Sequence, residues 1–502
     1  MSIAEPLTVL KAELLQTFVP QVLDVLTTAF RDGTAVHQVE EQLWDLALQL
    51  GRHSLTALFQ ACGTGDLGET LTLPDGHVVQ RLQERHTRRY VSIFGAFQLE
   101  RAVYGSREGQ AQEFVPLDNR LQLPASVFSY LLQDWDQSLA MEQAFRQVNE
   151  TMERMLRLKQ SVDSLEGMNH QMAEAVADFR DLQGTPPAAE EGAIAVLSAD
   201  CKGIVMRGRG TPTVCGGERP GRQRANQKRM ATVGAVYTVD PYRRTAADVV
   251  AALFRDPDYE PGRRPEPCHK RVWASLSQEG ATPKSSIDVV ADWLWWEFAQ
   301  RNPGLQRPTV CLCDGQEALW VACAAAVPDP NRVDILDLLH VTPRLWQAAK
   351  LLYGERGQEV LPFVRQRVTQ VLEGKVDTVI RSLRRLGAAR RLSGAKKKAL
   401  ARICSYLHKN RQRMRYDVYL REGYPIASGV IEGACRHLIK DRMERAGMHW
   451  TEEGAQAMLD LRSVWISGQW QAFQTSRIEE EMERLYPHRE LVAGEAFFDL
   501  AV

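Results

Sequence analysis

Two continuous β-prone apolar runs, AIAVLSA at residues 193–199 and PTVCLCDG at residues 308–315, constrain this chain more than any other feature. Uninterrupted apolar runs of this kind are expected of strands covered on both faces, as in a sheet packed between helices. The surrounding segments fit that grammar. GIVMRG (203–208) and KRMATVGAVYTVD (228–240) read as further strands, and SIDVVADWLWWEFAQRN (286–302) reads as a helix. A helix (QEALWVACAAAVP, 316–328), a strand (RVDILDLLH, 332–340) and a helix (PRLWQAAKLLYG, 343–354) follow. Residues 355–422 read as helical and basic, and residues 423–470 resume the α/β body.

At 502 residues the chain is too long for one core, and its length predicts roughly three domains. Residues 1–182 form a mainly helical region. LTVLKAELLQTFVPQVLDVLTTAF and VHQVEEQLWDLALQLGRHSLTALF recur near period 3.6. A β-hairpin broken at Gly95 is predicted over about 87–105. Residues 139–180 are compatible with a helix-turn-helix in which Ser161 caps a helix with Val162, Leu165 and Met168 inward; an ordinary helical bundle fits the same pattern. QGTPPAAEEGA (183–193) is a linker by composition, and residues 471–502 are an acidic tail.

Charge is segregated within a near-neutral chain of net charge −1. Fifteen Lys/Arg face two acids, Asp377 and Asp417, between Lys375 and Arg421. A second block, Lys202–Arg229, has eight basic residues against Glu218 alone. Blocks this lopsided predict a polyanion partner. Nine scattered cysteines include no Cys-x-x-Cys pair, which predicts reduced thiols and no zinc finger. Cys311 and Cys313 are assigned to opposite faces of their strand. With no secretory signal and no apolar run of membrane-spanning length, the expectation is a soluble cytoplasmic protein that avoids membranes.

Two acids finish the apolar runs: Asp200 at the end of AVLSAD and Asp314 at the end of TVCLCD. Such a residue costs burial energy unless it is paired or metal-bound, and strand ends are where ligand groups converge in α/β sheets. Either one alone also serves as an ordinary turn former. A third acid, Glu432, lies in SGVIEGACRHLIKDRMERAGMHW (428–450), four residues before Arg436. An i,i+4 surface pair accounts for it, at a few tenths of a kcal/mol. So does a metal-ligand role beside basic residues that hold nucleic acid. Three carboxylates suit Mg²⁺ or Mn²⁺, and two such ions roughly 3.5–4 Å apart can run an in-line phosphoryl displacement.

LSADCKGIVM, CLCDG and GVIEGACRHLIKDRMERAGMHW resemble the three catalytic blocks of bacterial insertion-sequence transposases of the ISKra type, distantly similar to Mutator-type transposases. The resemblance covers residues 194–465. It implies an α/β RNase H-like core interrupted by an all-α insertion at 355–422. It also implies an Asp-Asp-Glu triad of Asp200, Asp314 and Glu432 binding Mg²⁺ or Mn²⁺, with two ions expected. Asp337 and His340 match an Asp-x-x-His motif of related transposases. Arg436, His437, Lys440 and Arg442 would support the site or bind DNA. The implied activity is metal-dependent cleavage at terminal inverted repeats followed by strand transfer into target DNA, carried out by a homo-oligomer on DNA. An inactive DNA-binding scaffold and a structure-specific nuclease are the alternatives. Relatives carry a cysteine pair after the N-terminal hairpin; VYGSREGQAQEF (103–114) has none, so no zinc is expected there.

Overall fold

The protein is described from a computed structural model covering residues 4–83, 86–106, 112–207, 228–278, 283–445 and 447–493. The glycine-containing segment 208–224 and most of the basic block Lys202–Arg229 lie outside these residues. The chain divides into two compact units, one of Met1–Gln171 with Gln471–Val502 and one of Met172–Trp470.

In the first unit the helical periodicity becomes helices Ala4–Glu13, Val19–Asp32 and Val36–Cys62. Strands His86–Ser92 and Gly95–Arg101 pair as a hairpin, and Gly95 takes the left-handed φ of 109° that its tight turn requires. A small antiparallel sheet of Thr70–Thr72, Val78–Arg81 and Tyr104–Gly105 was not expected from sequence. Ser161 does cap helix Val162–Glu174, its Oγ accepting from Ser164 N at 3.1 Å. Leu165 and Met168 are buried, but Val162 faces outward, because it occupies the first turn before the helix reaches its neighbours. The described part of the acidic tail carries a helix, Trp470–Leu485, followed by Tyr486, whose hydroxyl donates to Leu123 O.

This unit also buries a carboxylate. Asp136 is fully buried and accepts from Gln160 Nε2 at 2.9 Å, and burial pushes its carboxyl up to about 7. A folded-state value raised above the unfolded value near 3.9 stabilises the unit at low pH, and that contribution is lost as pH rises through about 7. Asp136→Asn is therefore expected to flatten the pH dependence of stability. At pH 8 it should raise stability by up to about 4 kcal/mol, read from urea unfolding at pH 5 and pH 8.

The second unit is built on a five-stranded mixed sheet. Its strands are β1 (Ile194–Val205), β2 (Lys228–Val239), β3 (Cys268–Ser275), β4 (Thr309–Cys313) and β5 (Val333–Leu336), in spatial order β5-β4-β1-β2-β3. β1 is antiparallel to β2 and β2 to β3, whereas β4 and β5 run parallel to β1. Two strand readings change. GIVMRG forms no separate strand, because pairing with β2 carries β1 through to Val205. β3, CHKRVWAS, was not anticipated, since its polar first half masks the buried second half.

Helix Ser286–Arg301 packs onto β2 so closely that a side chain at Gly234 would collide with Val290 and press on Trp293 and Leu294. The segment 355–422 forms helices Val360–Leu372, Val376–Ala389, Gly394–Asn410 and Tyr416–Glu422. Their apolar faces join the same core as the sheet. Cys311 and Cys313 share one strand face rather than opposite ones, as a two-residue spacing dictates. Cys323 lies 3.6 Å from Cys313 by sulfur-to-sulfur distance.

The predicted linker is docked. Glu191 receives two guanidinium bonds of 2.8 Å from Arg301, which also donates to Val236 O and His269 O. Both side chains are only 2% exposed. Burial raises the Glu191 carboxyl, but Arg301 and the Thr238 hydroxyl outweigh it and hold the carboxyl below its usual range.

Candidate active site

The sheet register brings the first two acids together. Ala199 on β1 pairs with Cys313 on β4 in parallel register, so Asp200 and Asp314 are the next residues along on adjacent strands. Parallel neighbours in register project from the same face. Asp314 follows the end of β4, as its sequence context predicts. Asp200 does not end its strand: it lies in the middle of β1, opposite Val233 of β2. The site therefore opens where β4 stops and β1 continues.

Each carboxylate is oriented locally. Asp200 Oδ1 accepts from Cys201 N at 2.7 Å, and the Cys435 thiol points at Asp200 Oδ2 from 3.6 Å. Asp314 Oδ1 accepts from Gln316 N at 2.7 Å, closing the turn after β4. Burial raises the Asp314 carboxyl, as does the charge of Asp200, while His340 and Arg344 act in the opposite sense.

Glu432 comes from helix Gly429–Ala434, and its placement depends on Asp337. Asp337, 1% exposed, caps helix Leu338–Tyr353 by accepting from Leu339 N through Oδ1 at 2.8 Å. Its Oδ2 accepts from Ser428 N at 3.2 Å and Ser428 Oγ at 2.9 Å. Asp337 N also donates to Cys313 O, and Leu338 N to Ile426 O, each at 2.9 Å. Asp337 thus ties the end of β4 to the start of the Glu432 helix. His340, one turn along from Asp337, completes a group in which ligand atoms of Asp337, His340 and Glu432 lie within 4.8 Å of one another. Burial raises the Glu432 carboxyl, as do the charges of Asp337 and Asp200, with His340 opposing.

Among the described residues, the ligand atoms that come within 4.8 Å of one another are those of Asp337, His340 and the exposed Glu432. Asp200 and Asp314 lie near enough to act on these groups by charge, but the predicted triad of Asp200, Asp314 and Glu432 does not form such a group. Crowding and burial push three of these acids toward their protonated forms. A divalent cation held there would relieve that repulsion, and the Asp337, His340 and Glu432 group is the geometric candidate to hold one. Asp314 accepts through Oδ1 alone, and Asp200 Oδ2 meets only the weak thiol donor of Cys435, whereas both oxygens of Asp337 accept stronger N–H and O–H bonds.

The basic residues beyond Glu432 divide. Arg436, His437 and Lys440 are exposed, and Asp441 sits 3.5 Å from Arg436 and 2.9 Å from His437 Nδ1. Arg442 is corrected from a DNA contact to an interior residue. It is 1% exposed, its guanidinium 5.3 Å from the Trp450 ring centroid. The physical reason is the π-helical stretch Cys435–Lys440, whose wider turns shift the faces of an ordinary helix. Two pocket residues escaped sequence analysis, Cys435 and Arg344. For Arg344, its position four residues after His340 on one helix was the available signal.

No protein-family model matches the chain, and a search of curated proteins finds no match.

Proposed function

We propose that the protein is a DDE transposase of an insertion sequence, with an RNase H-like core formed by the five-stranded sheet and its helices. The observation that supports this reading is the alignment of Asp200 and Asp314 on neighbouring strands, with Glu432 set beside Asp337 and His340 and within reach of the charge of Asp200. The strand order β5-β4-β1-β2-β3, antiparallel on one side of β1 and parallel on the other, agrees with such a core.

In this reading Asp200, Asp314 and Glu432 hold divalent cations. Bound Mg²⁺ or Mn²⁺ would supply Lewis-acid stabilisation of the attacking and leaving oxygens. Asp337 positions Glu432, and the exposed Arg436, His437 and Lys440 together with the basic helices of 355–422 neutralise DNA phosphates. A terminal phosphodiester is hydrolysed first, and the 3′-hydroxyl it frees then attacks target DNA at the same site. DNA ends are bound by the helical first unit, and paired ends require more than one copy.

The test uses purified full-length protein, Mn²⁺ and a duplex carrying the DNA that flanks the gene. Nicking at a defined end followed by joining to a second duplex is expected. Nicking without joining indicates a nuclease. Binding without either indicates an inactive scaffold.

A further inference from the structure

We infer that Arg344 is the phosphate-holding cation of the acidic pocket, presented there by Tyr406 of the basic helical segment. The inference rests on the transposase reading and adds a substrate-positioning residue to it.

Arg344 lies on helix Leu338–Tyr353, four residues beyond His340, and its charge acts on Asp314. Among the described residues no carboxylate pairs with it, although several acids line the same pocket. Its guanidinium instead lies over the Tyr406 ring, 3.6 Å from the centroid, and its Nε is buried without a hydrogen-bond partner. A guanidinium stacked on an aromatic face directs its N–H donors around the edge of the stack, in the fork that fits two phosphate oxygens. A permanent cation kept out of ion pairs beside a cation-binding pocket is suited to an anionic ligand that enters with the metal.

Tyr406 comes from helix Gly394–Asn410, whose outward face carries Lys396, Lys397, Lys398, Arg402 and Lys409. Its ring rests against Gly315, the residue after Asp314, so closely that any side chain at 315 would overlap it. One helix therefore presents a basic face outward and, through Tyr406, sets the height of Arg344 beside Asp314.

The test measures duplex cleavage and, separately, Mn²⁺ binding without DNA, in the full-length wild type and in R344Q, R344K, Y406F and Y406A. R344Q is expected to cut roughly 100-fold more slowly, the scale of losing one aligned donor to a charged oxygen. Its Mn²⁺ binding should be unchanged or tighter, because a positive charge has gone. R344K should recover part of the rate, since lysine keeps the charge without the fork. Y406F should match the wild type and Y406A should fall toward R344Q, because the ring does the holding. Wild-type cleavage by R344Q overturns the inference. So does a parallel loss of Mn²⁺ binding in R344Q and R344K, which marks a framework role. A wild type that neither cuts nor binds Mn²⁺ overturns the transposase reading and this inference with it.

Discussion

Asp314→Asn is expected to reduce DNA cleavage and joining by at least roughly 1,000-fold while DNA binding stays near the wild-type level. The amide keeps the shape of the carboxylate and can still accept from Gln316 N through its carbonyl oxygen, so the turn after β4 survives. What disappears is a negative charge beside Asp200, and with it the attraction for a divalent ion. A thermal-shift series separates this from misfolding. Wild-type protein should be stabilised by Mn²⁺, by about 2.7 kcal/mol at one hundred times the dissociation constant. Asp314→Asn should unfold normally without the ion and gain little from it. Cleavage at the wild-type rate would show that the acids have been assigned to the wrong chemistry.

The second large effect concerns stability. Glu191→Ala leaves the Arg301 guanidinium buried with its two strongest acceptor bonds removed. Glu297, 3.5 Å from Arg301 and itself held by Arg271 at 3.0 Å, offers only partial compensation. The expected loss is about 3–5 kcal/mol, the range for removing one partner of a buried ion pair. Urea unfolding followed by tryptophan fluorescence reads it directly, because Trp293 lies on the helix that carries Arg301. A double variant, Glu191→Ala with Arg301→Met, should recover much of the loss, since no uncompensated charge then remains. A loss under 1 kcal/mol in the single variant would mean that water reaches this pair.

What the sequence discloses depends on whether the physics is local. Asp314 is legible because an acid directly after an apolar run is an energetic anomaly that nearby residues alone reveal. Asp200 is legible as a residue but not as a position, since the extension of β1 to Val205 depends on pairing with β2, where Val205 meets Lys228. Asp337 matches a short motif, yet its hold on Ser428 spans 91 residues and leaves no local trace. Arg442 misleads because an ordinary helical period was assumed across Cys435–Lys440, where the backbone widens. Tyr406 is invisible for the opposite reason: nothing in its helix signals that Gly315 will receive its ring.

The bond between Asp337 and Ser428 also has a consequence for assembly. Its two residues bracket ninety others, and closing a segment of that length costs several kcal/mol of chain entropy, roughly 4 if the segment were floppy. The intervening helices, packed into the same core as the sheet, offset that cost by holding the ends together. A nascent or truncated chain that stops within those helices lacks the pocket altogether. The candidate site is therefore a property of the whole second unit, with no shorter segment able to supply it.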